Sequence, residues 1–166
     1  MDKDLQLVGF RIGKETFALP ISMVREIVRV PDITAVPNAP NYIEGVINLR
    51  GRIIPVVDLR KRFGEKRAEL DKKSRIIVVD LDSRGLGLLV NSASEVLRIP
   101  PSEIAAPHTV FQEGEMNYIR GVGKLKGRLV ILLDLNRILQ RGELSSLAEA
   151  ADAAAAVDTG ALARDF

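Results

Sequence analysis

The sequence predicts a mainly β protein: two small SH3-like barrels that share a hydrophobic core, with short helices and a partly helical C-terminal tail. Three observations lead there. The chain repeats itself, since residues 42–64 align without a gap on residues 118–140 with nine of 23 positions identical, and "EIVRVP" ending at Pro31 answers "EVLRIP" ending at Pro100. Each copy is written in short apolar runs separated by glycine-bearing turns, the pattern of brief strands. Runs such as "IIVVDL" and "LVILLDL" are apolar at successive positions, so both faces of those strands are buried and the two barrels share an interior rather than standing as independent beads.

The elements follow in chain order. Val8, Phe10 and Ile12 alternate with Gly9 and Arg11, the period of two of a half-buried strand. "GKE" at 13–15 turns the chain into "TFALPI", and "EIVRVP" follows. The second half repeats this: "IIVVDL" answers "LVGFRI", "DSRG" turns, and "GLGLLV" answers "TFALPI". The repeated units are therefore about residues 5–64 and 74–140, within one domain spanning 1–141. Ser92 and Glu95 have capping-box spacing, which predicts one helical turn before the next strand. Gly51 and Gly127 fall at equivalent bends between two apolar runs. Asp58 and Asp134 stand before "LRKRF" and "LNRIL", where a carboxylate can accept backbone N–H groups and open a short helix, and Gly64 and Gly142 are placed to stop those helices.

Residues 65–74, "EKRAELDKKS", read as a charged, solvated connector, and residues 100–117 as the longer counterpart of "PDITAVPNAPN". Residues 142–166 are rich in alanine and short of bulky side chains, which suits a frayed, partly helical tail.

Composition narrows the function. The chain has no cysteine, which removes thiol catalysis, disulfides and thiolate metal sites together. Its opening residues do not read as a signal peptide, and its longest apolar stretch is far shorter than the roughly 20 residues that span a bilayer; a cytoplasmic protein without membrane insertion is expected. With 24 basic and 22 acidic residues the formal net charge is +2, and aromatics are 4% of the chain. Such a chain exerts little pull on phosphate and offers few stacking platforms, so nucleic acid is not an expected partner. A nucleic-acid-binding small-barrel protein is the alternative reading, on the clusters "KKSR" and "RKRFGEKR", which are interleaved with Glu65, Glu69 and Asp71 as a solvated face would be.

Residues for catalysis are scarce. His108 is the only histidine and has no second imidazole or thiolate to complete a metal or Ser-His site. Asp80 and Asp82 read as strand-end and turn residues. "GLGLLV" at 85–90 has two glycines of a phosphate cradle but leads into a strand. No catalytic residue, metal or cofactor is assigned. Arg50 differs from its surroundings. The first copy has Asn48 and Arg50 where the second has Lys124 and Lys126, so an amide and a planar guanidinium fork stand against two flexible point charges.

At "YIEGVINLRGRIIPVVDLRKRFG" the sequence resembles the CheW family of bacterial chemotaxis coupling proteins, as do "LVGFRIGKETFALPISMVREI", "IIVVDLDSRGLGLLVNSASEVLRI" and "YIRGVGKLKGRLVILLDLNRIL". The likeness covers about residues 5–141. It implies two five-stranded barrels around a common interior, and a non-catalytic adaptor, monomeric when isolated, recruited to receptor arrays. Its implied partners are the cytoplasmic tips of chemoreceptors and the regulatory domain of the histidine kinase CheA. Carried over position by position, the resemblance puts Val24, Ile27 and Gly45 at the main kinase contact and Phe111 at a second, weaker one. It puts Asn48, Arg50, Ala93 and Val96 along a groove between the barrels that holds a receptor helix. The sequence departs from the pattern at Asn91, where many members carry an aspartate.

Overall fold

The computed structural model describes residues 4–37, 43–62, 70–81, 84–106 and 119–138. The first half contains β1 (Leu5–Ile12), β2 (Glu15–Pro20), β3 (Val24–Arg29), β4 (Ile43–Leu49), β5 (Arg52–Asp58) and the one-turn helix α1 (Leu59–Arg62). The second contains β6 (Arg75–Leu81), β7 (Arg84–Val90), β8 (Ser92–Ile99), β9 (Ile104–Ala105), β10 (Ile119–Leu125), β11 (Arg128–Leu133) and α2 (Leu135–Ile138). The expected mainly β architecture in two units is what the chain adopts.

The hairpin turns obey the twist of the strands they join. Arg50 and Gly51 both have positive φ, 53° and 84°, and join Leu49 to its cross-strand partner Arg52. Lys126 and Gly127 repeat the geometry at 52° and 81° between Leu125 and Arg128. Two positive-φ residues between paired strands match the right-handed twist of a tight hairpin. Glycine takes the second position freely, whereas Arg50 and Lys126 hold the first at some steric cost.

The strands are arranged in two sheets. One has the order β8-β1-β2-β11-β10-β9, the other β3-β6-β7-β5-β4. Each sheet receives a hairpin from the opposite half: β1 and β2 lie between β8 and β11, and β6 and β7 lie between β3 and β5. The insertions are equivalent in detail, because β11 runs parallel to β2 as β5 runs parallel to β7. In the second sheet the chain closes the curve after β3, where Thr34 and Val46 exchange backbone hydrogen bonds of 2.9 and 2.8 Å. The sixth strand of the first sheet, the two-residue β9, makes the same closure by pairing Ile104 with Gly123 and Ala105 with Val122.

Burial explains why the apolar runs are continuous. Along β6, Ile76 and Val78 point into a cluster with Ile47, Ile54, Val56 and Leu89, while Ile77 and Val79 point into a larger cluster between the sheets. Along β11, Val130 and Leu132 join Leu7, Leu97 and Ile99 inside the first sheet, while Ile131 and Leu133 face the shared cluster. Each barrel thus has its own interior, and a third core joins the two. Phe10 and Phe17, opposite each other on β1 and β2, stack in that joint with ring centroids 6.1 Å apart, a contact worth about 0.5–1.5 kcal/mol beyond its buried area.

Two local expectations have different outcomes. Asp58 opens α1 as expected: its Oδ1 accepts the Arg60 backbone N–H at 3.0 Å. The fully buried carboxylate also receives Arg60 Nε at 3.0 Å and Nη2 at 2.9 Å. By contrast, no helical turn begins at Ser92. Residues from Ser92 onward are strand β8, with Ser92 and Ala93 paired to Arg11 and Phe10 across a register shift. Glu95 does not reach back along the chain; its carboxylate accepts Arg128 Nη2 at 2.7 Å. Pairing along β1 supplies more hydrogen bonds than one capped turn, so the tertiary ladder overrides the local signal.

Candidate partner-binding site

Arg50 is placed by the turn that carries it. Asn48 Oδ1 accepts the Gly51 backbone N–H at 2.9 Å and stabilises the hairpin from within. The turn projects Arg50 so that its Nη1 donates to Glu26 Oε2 on β3 at 2.7 Å, although 74% of the arginine side chain remains exposed. The hydrogen bond to Glu26, and then its negative charge, raise the Arg50 pKa above the ordinary arginine value against a smaller opposing desolvation. The guanidinium is therefore a permanent cation held against Glu26 of β3 while keeping further donors toward solvent.

β3 is an edge strand whose outward face carries Arg25, Ile27 and Arg29. Ile27 is 38% exposed, Val24 is half-buried against the shared core, and Arg25 is ion-paired with Asp80. Gly45 is buried, and its backbone explains its identity: φ is 147°, and a Cβ there would lie 2.1 Å from the Thr34 carbonyl oxygen. Gly45 thus shapes this edge from behind by letting residues 33–34 close on β4.

The repeat relates the two sets of expected contact residues. The register that equates "EIVRVP" with "EVLRIP" places Val24 on Ala93, Glu26 on Glu95 and Ile27 on Val96. β8 is the edge strand of the first sheet as β3 is of the second, and Val96 is 62% exposed on it, directly across from Val8. Both glutamates are held by an arginine from the facing hairpin, Glu26 by Arg50 and Glu95 by Arg128. Each barrel therefore presents an apolar side chain on its edge strand beside an anchored carboxylate. Sequence reasoning assigned Ile27 and Val96 to different partners without noticing that they are the same position of the repeat. It also missed Glu26, Glu95 and Arg128, although the shared glutamate in the quoted motifs was the signal for the first two.

An opening of about 390 Å³ between the sheets is lined by Ala93, Ser92, Phe10, Arg11, Lys73 and Arg75, among others, but Asn48, Arg50 and Val96 are not part of its lining. Asn91, at the departure from the family pattern, ties the β1–β2 hairpin to the end of β7: its Oδ1 accepts Gly13 N–H at 2.8 Å and its N–H donates to the Arg11 carbonyl at 2.9 Å. Phe111, His108 and Asp82 lie outside the described residues, as do Gly64, Gly142 and the tail. Among the described residues no cluster of three or more histidine or carboxylate side chains could hold a metal ion, and no helix is long and apolar enough to cross a membrane.

Comparison with known proteins gives one consistent answer. The family model for the CheW-like domain matches residues 6–143. The chain is 37% identical over 138 residues to the chemotaxis protein CheW of Rhizobium meliloti, covering 83% of this chain and 89% of that one. It is 38% identical to the chemotaxis protein CheW of Helicobacter pylori, covering 82% of each. The crystal structure of the scaffolding protein TtCheW from Thermoanaerobacter tengcongensis superposes with a TM-score of 0.76 at 35% identity, over 86% of this chain and 96% of that one.

Proposed function

The chain belongs to the CheW family of chemotaxis scaffold proteins, and from that membership we propose that it is a non-catalytic adaptor joining the cytoplasmic tips of chemoreceptors to the regulatory domain of the histidine kinase CheA. The adaptor domain comprises residues 1–141, followed in sequence by the alanine-rich residues 142–166. The protein is cytoplasmic, monomeric when isolated, and recruited to receptor arrays through its partners.

The observation that supports this reading is the duplicated edge. Two like apolar positions, Ile27 and Val96, stand on equivalent edge strands of two barrels joined by a common core, each beside a glutamate anchored by an arginine. A body that couples two proteins needs two such faces in fixed relation. Apolar side chains exposed at an edge become buried anchors when a partner covers them, and the charged neighbours orient it. Val24 and Ile27, shaped by Gly45, meet the kinase, and Phe111 adds a second, weaker contact. Asn48, Arg50, Ala93 and Val96 receive the receptor helix, with Arg50 as the directional cation.

Co-sedimentation tests the reading. Receptor-bearing membranes are pelleted with the kinase in the presence and absence of the chain. The kinase is expected to pellet in quantity only when the chain is present, and Ile27→Asp is expected to leave the chain in the pellet while releasing the kinase. Kinase pelleting equally well without the chain would overturn the proposal.

A further inference from the structure

The opening between the sheets is unbalanced in charge. Among the described residues, Arg11, Lys73, Arg75 and Arg128 line it with one carboxylate, Glu95, which is already bound to Arg128 at 2.7 Å. Among the described residues no carboxylate forms an ion pair with Arg11, Lys73 or Arg75, and Arg75 Nη1 donates to the backbone carbonyls of Lys72 and Ser74 instead. Cations gathered along a cleft focus a positive potential there, and an anionic segment entering it relieves their mutual repulsion.

The chain carries such a segment itself. Residues 142–166 contain Glu143, Glu149, Asp152, Asp158 and Asp165 against the single cation Arg164, although the whole chain has a formal charge of +2. α2 ends at Ile138. The twenty residues from there to Asp158 would span about 25 Å as a coil and about 30 Å as a helix. A domain of this size has a radius of gyration of about 14 Å, so either span exceeds the radius of the domain it would cross. We propose that the acidic segment 142–166 docks on the cationic cleft of its own chain. The connection lets this contact form without high intrinsic affinity, because a tethered segment has an effective concentration on the order of millimolar. The alanine-rich composition suits the role, since most side chains between the carboxylates are small and let them approach the cleft closely. Where the cleft receives a receptor helix beside Ala93, the tail is its competitor, a consequence that rests on the function proposed above.

Because the chain has no cysteine, Ser146→Cys provides a unique attachment site for a nitroxide spin label. In the full-length labelled protein at low salt, the amide signals of Arg11, Ser92 and Ala93 are expected to broaden relative to the reduced label, while those on the Ile27 edge do not. Broadening is expected to fade at high salt, and in each of two charge variants: Arg11→Glu with Lys73→Glu, and Glu149→Gln with Asp152→Asn and Asp158→Asn. The second set leaves the folded barrels untouched and keeps the test valid should the first misfold. Absence of broadening, broadening that ignores salt and both sets of substitutions, or broadening that grows with protein concentration as docking on a second copy requires would each overturn the proposal. No receptor is present in this measurement, so its failure leaves the adaptor reading standing.

Discussion

Arg50 Nη1 donates to Glu26 Oε2 at 2.7 Å, an ion pair that joins the first hairpin turn to the edge strand carrying Ile27. Three quarters of the arginine stays exposed, so the pair adds little to the fold, and on the function proposed above it orients a cation for the receptor. Arg50→Glu is therefore expected to abolish receptor coupling while the thermal melt barely moves. The raised guanidinium pKa also has a consequence. It reinforces a charge that arginine keeps well above neutral pH in any case, so coupling through Arg50 should survive mildly alkaline pH. A melt that collapses with coupling per folded molecule unchanged would contradict this account.

The Asn48 cap predicts a smaller, structural effect. Asn48→Ala removes the acceptor for the Gly51 N–H at 2.9 Å and should destabilise by about 0.5–1.5 kcal/mol while loosening the aim of Arg50. Denaturant titration with a parallel receptor-binding assay reads both. Stability and binding equal to the parent would remove the cap from the mechanism.

Two glycines near this site should fail for different reasons. At Gly51 nothing lies within 4 Å of an added Cβ, but φ is 84°. Gly51→Ala should therefore cost about 1–2 kcal/mol as backbone strain, Gly51→Val more, and Gly51→Asn much less. At Gly45 the added Cβ would meet the Thr34 carbonyl oxygen at 2.1 Å, so even Gly45→Ala should break the Thr34–Val46 closure. Amide exchange at Val46 distinguishes the two: fast in Gly45→Ala, protected in Gly51→Ala.

Asp58 and Arg60 form an ion pair sealed from water. Removing one partner, as in Arg60→Met, should cost about 3–5 kcal/mol because a buried carboxylate is left without a countercharge. Replacing both, Asp58→Leu with Arg60→Met, should cost clearly less than the two single changes together. Additive losses in a denaturant double-mutant cycle would show that the two groups act independently.

The duplicated edge predicts separable losses. Ile27→Asp should abolish kinase binding and spare receptor binding, and Val96→Asp the reverse, both with near-parent stability because the side chains are 38% and 62% exposed. Loss of both interactions in either variant, measured by titration against each partner, would refute the division of faces.

Much of this was legible in one dimension. The repeat exposed the two barrels, and the apolar runs of "IIVVDL" and "LVILLDL" exposed the shared core, because period-two geometry sends neighbouring residues to opposite faces and both faces were apolar. Gly51, Gly127 and Asp58 were readable because turns and helix openings are local problems, solved within four residues. Asn48 was read only as a contact residue, since an amide that caps its own turn looks in sequence like one that awaits a partner. The capping-box spacing of Ser92 and Glu95 misled for the converse reason: the competing partners, β1 and Arg128, are distant in the chain.

The sequence by itself determined most of the strand segments, where they turn, and that the two similar halves share a core. Only the tertiary structure decided which strands pair. The hairpins β1–β2 and β6–β7 have equivalent apolar faces, so burial alone would satisfy either in either barrel. Their exchange is settled by backbone ladders with β8 and β11, and with β3 and β5, that must close in three dimensions. The same closure brings Glu26 to Arg50 and Glu95 to Arg128, because hydrogen bonds and ion pairs act over a few ångströms and no distance along the chain encodes them.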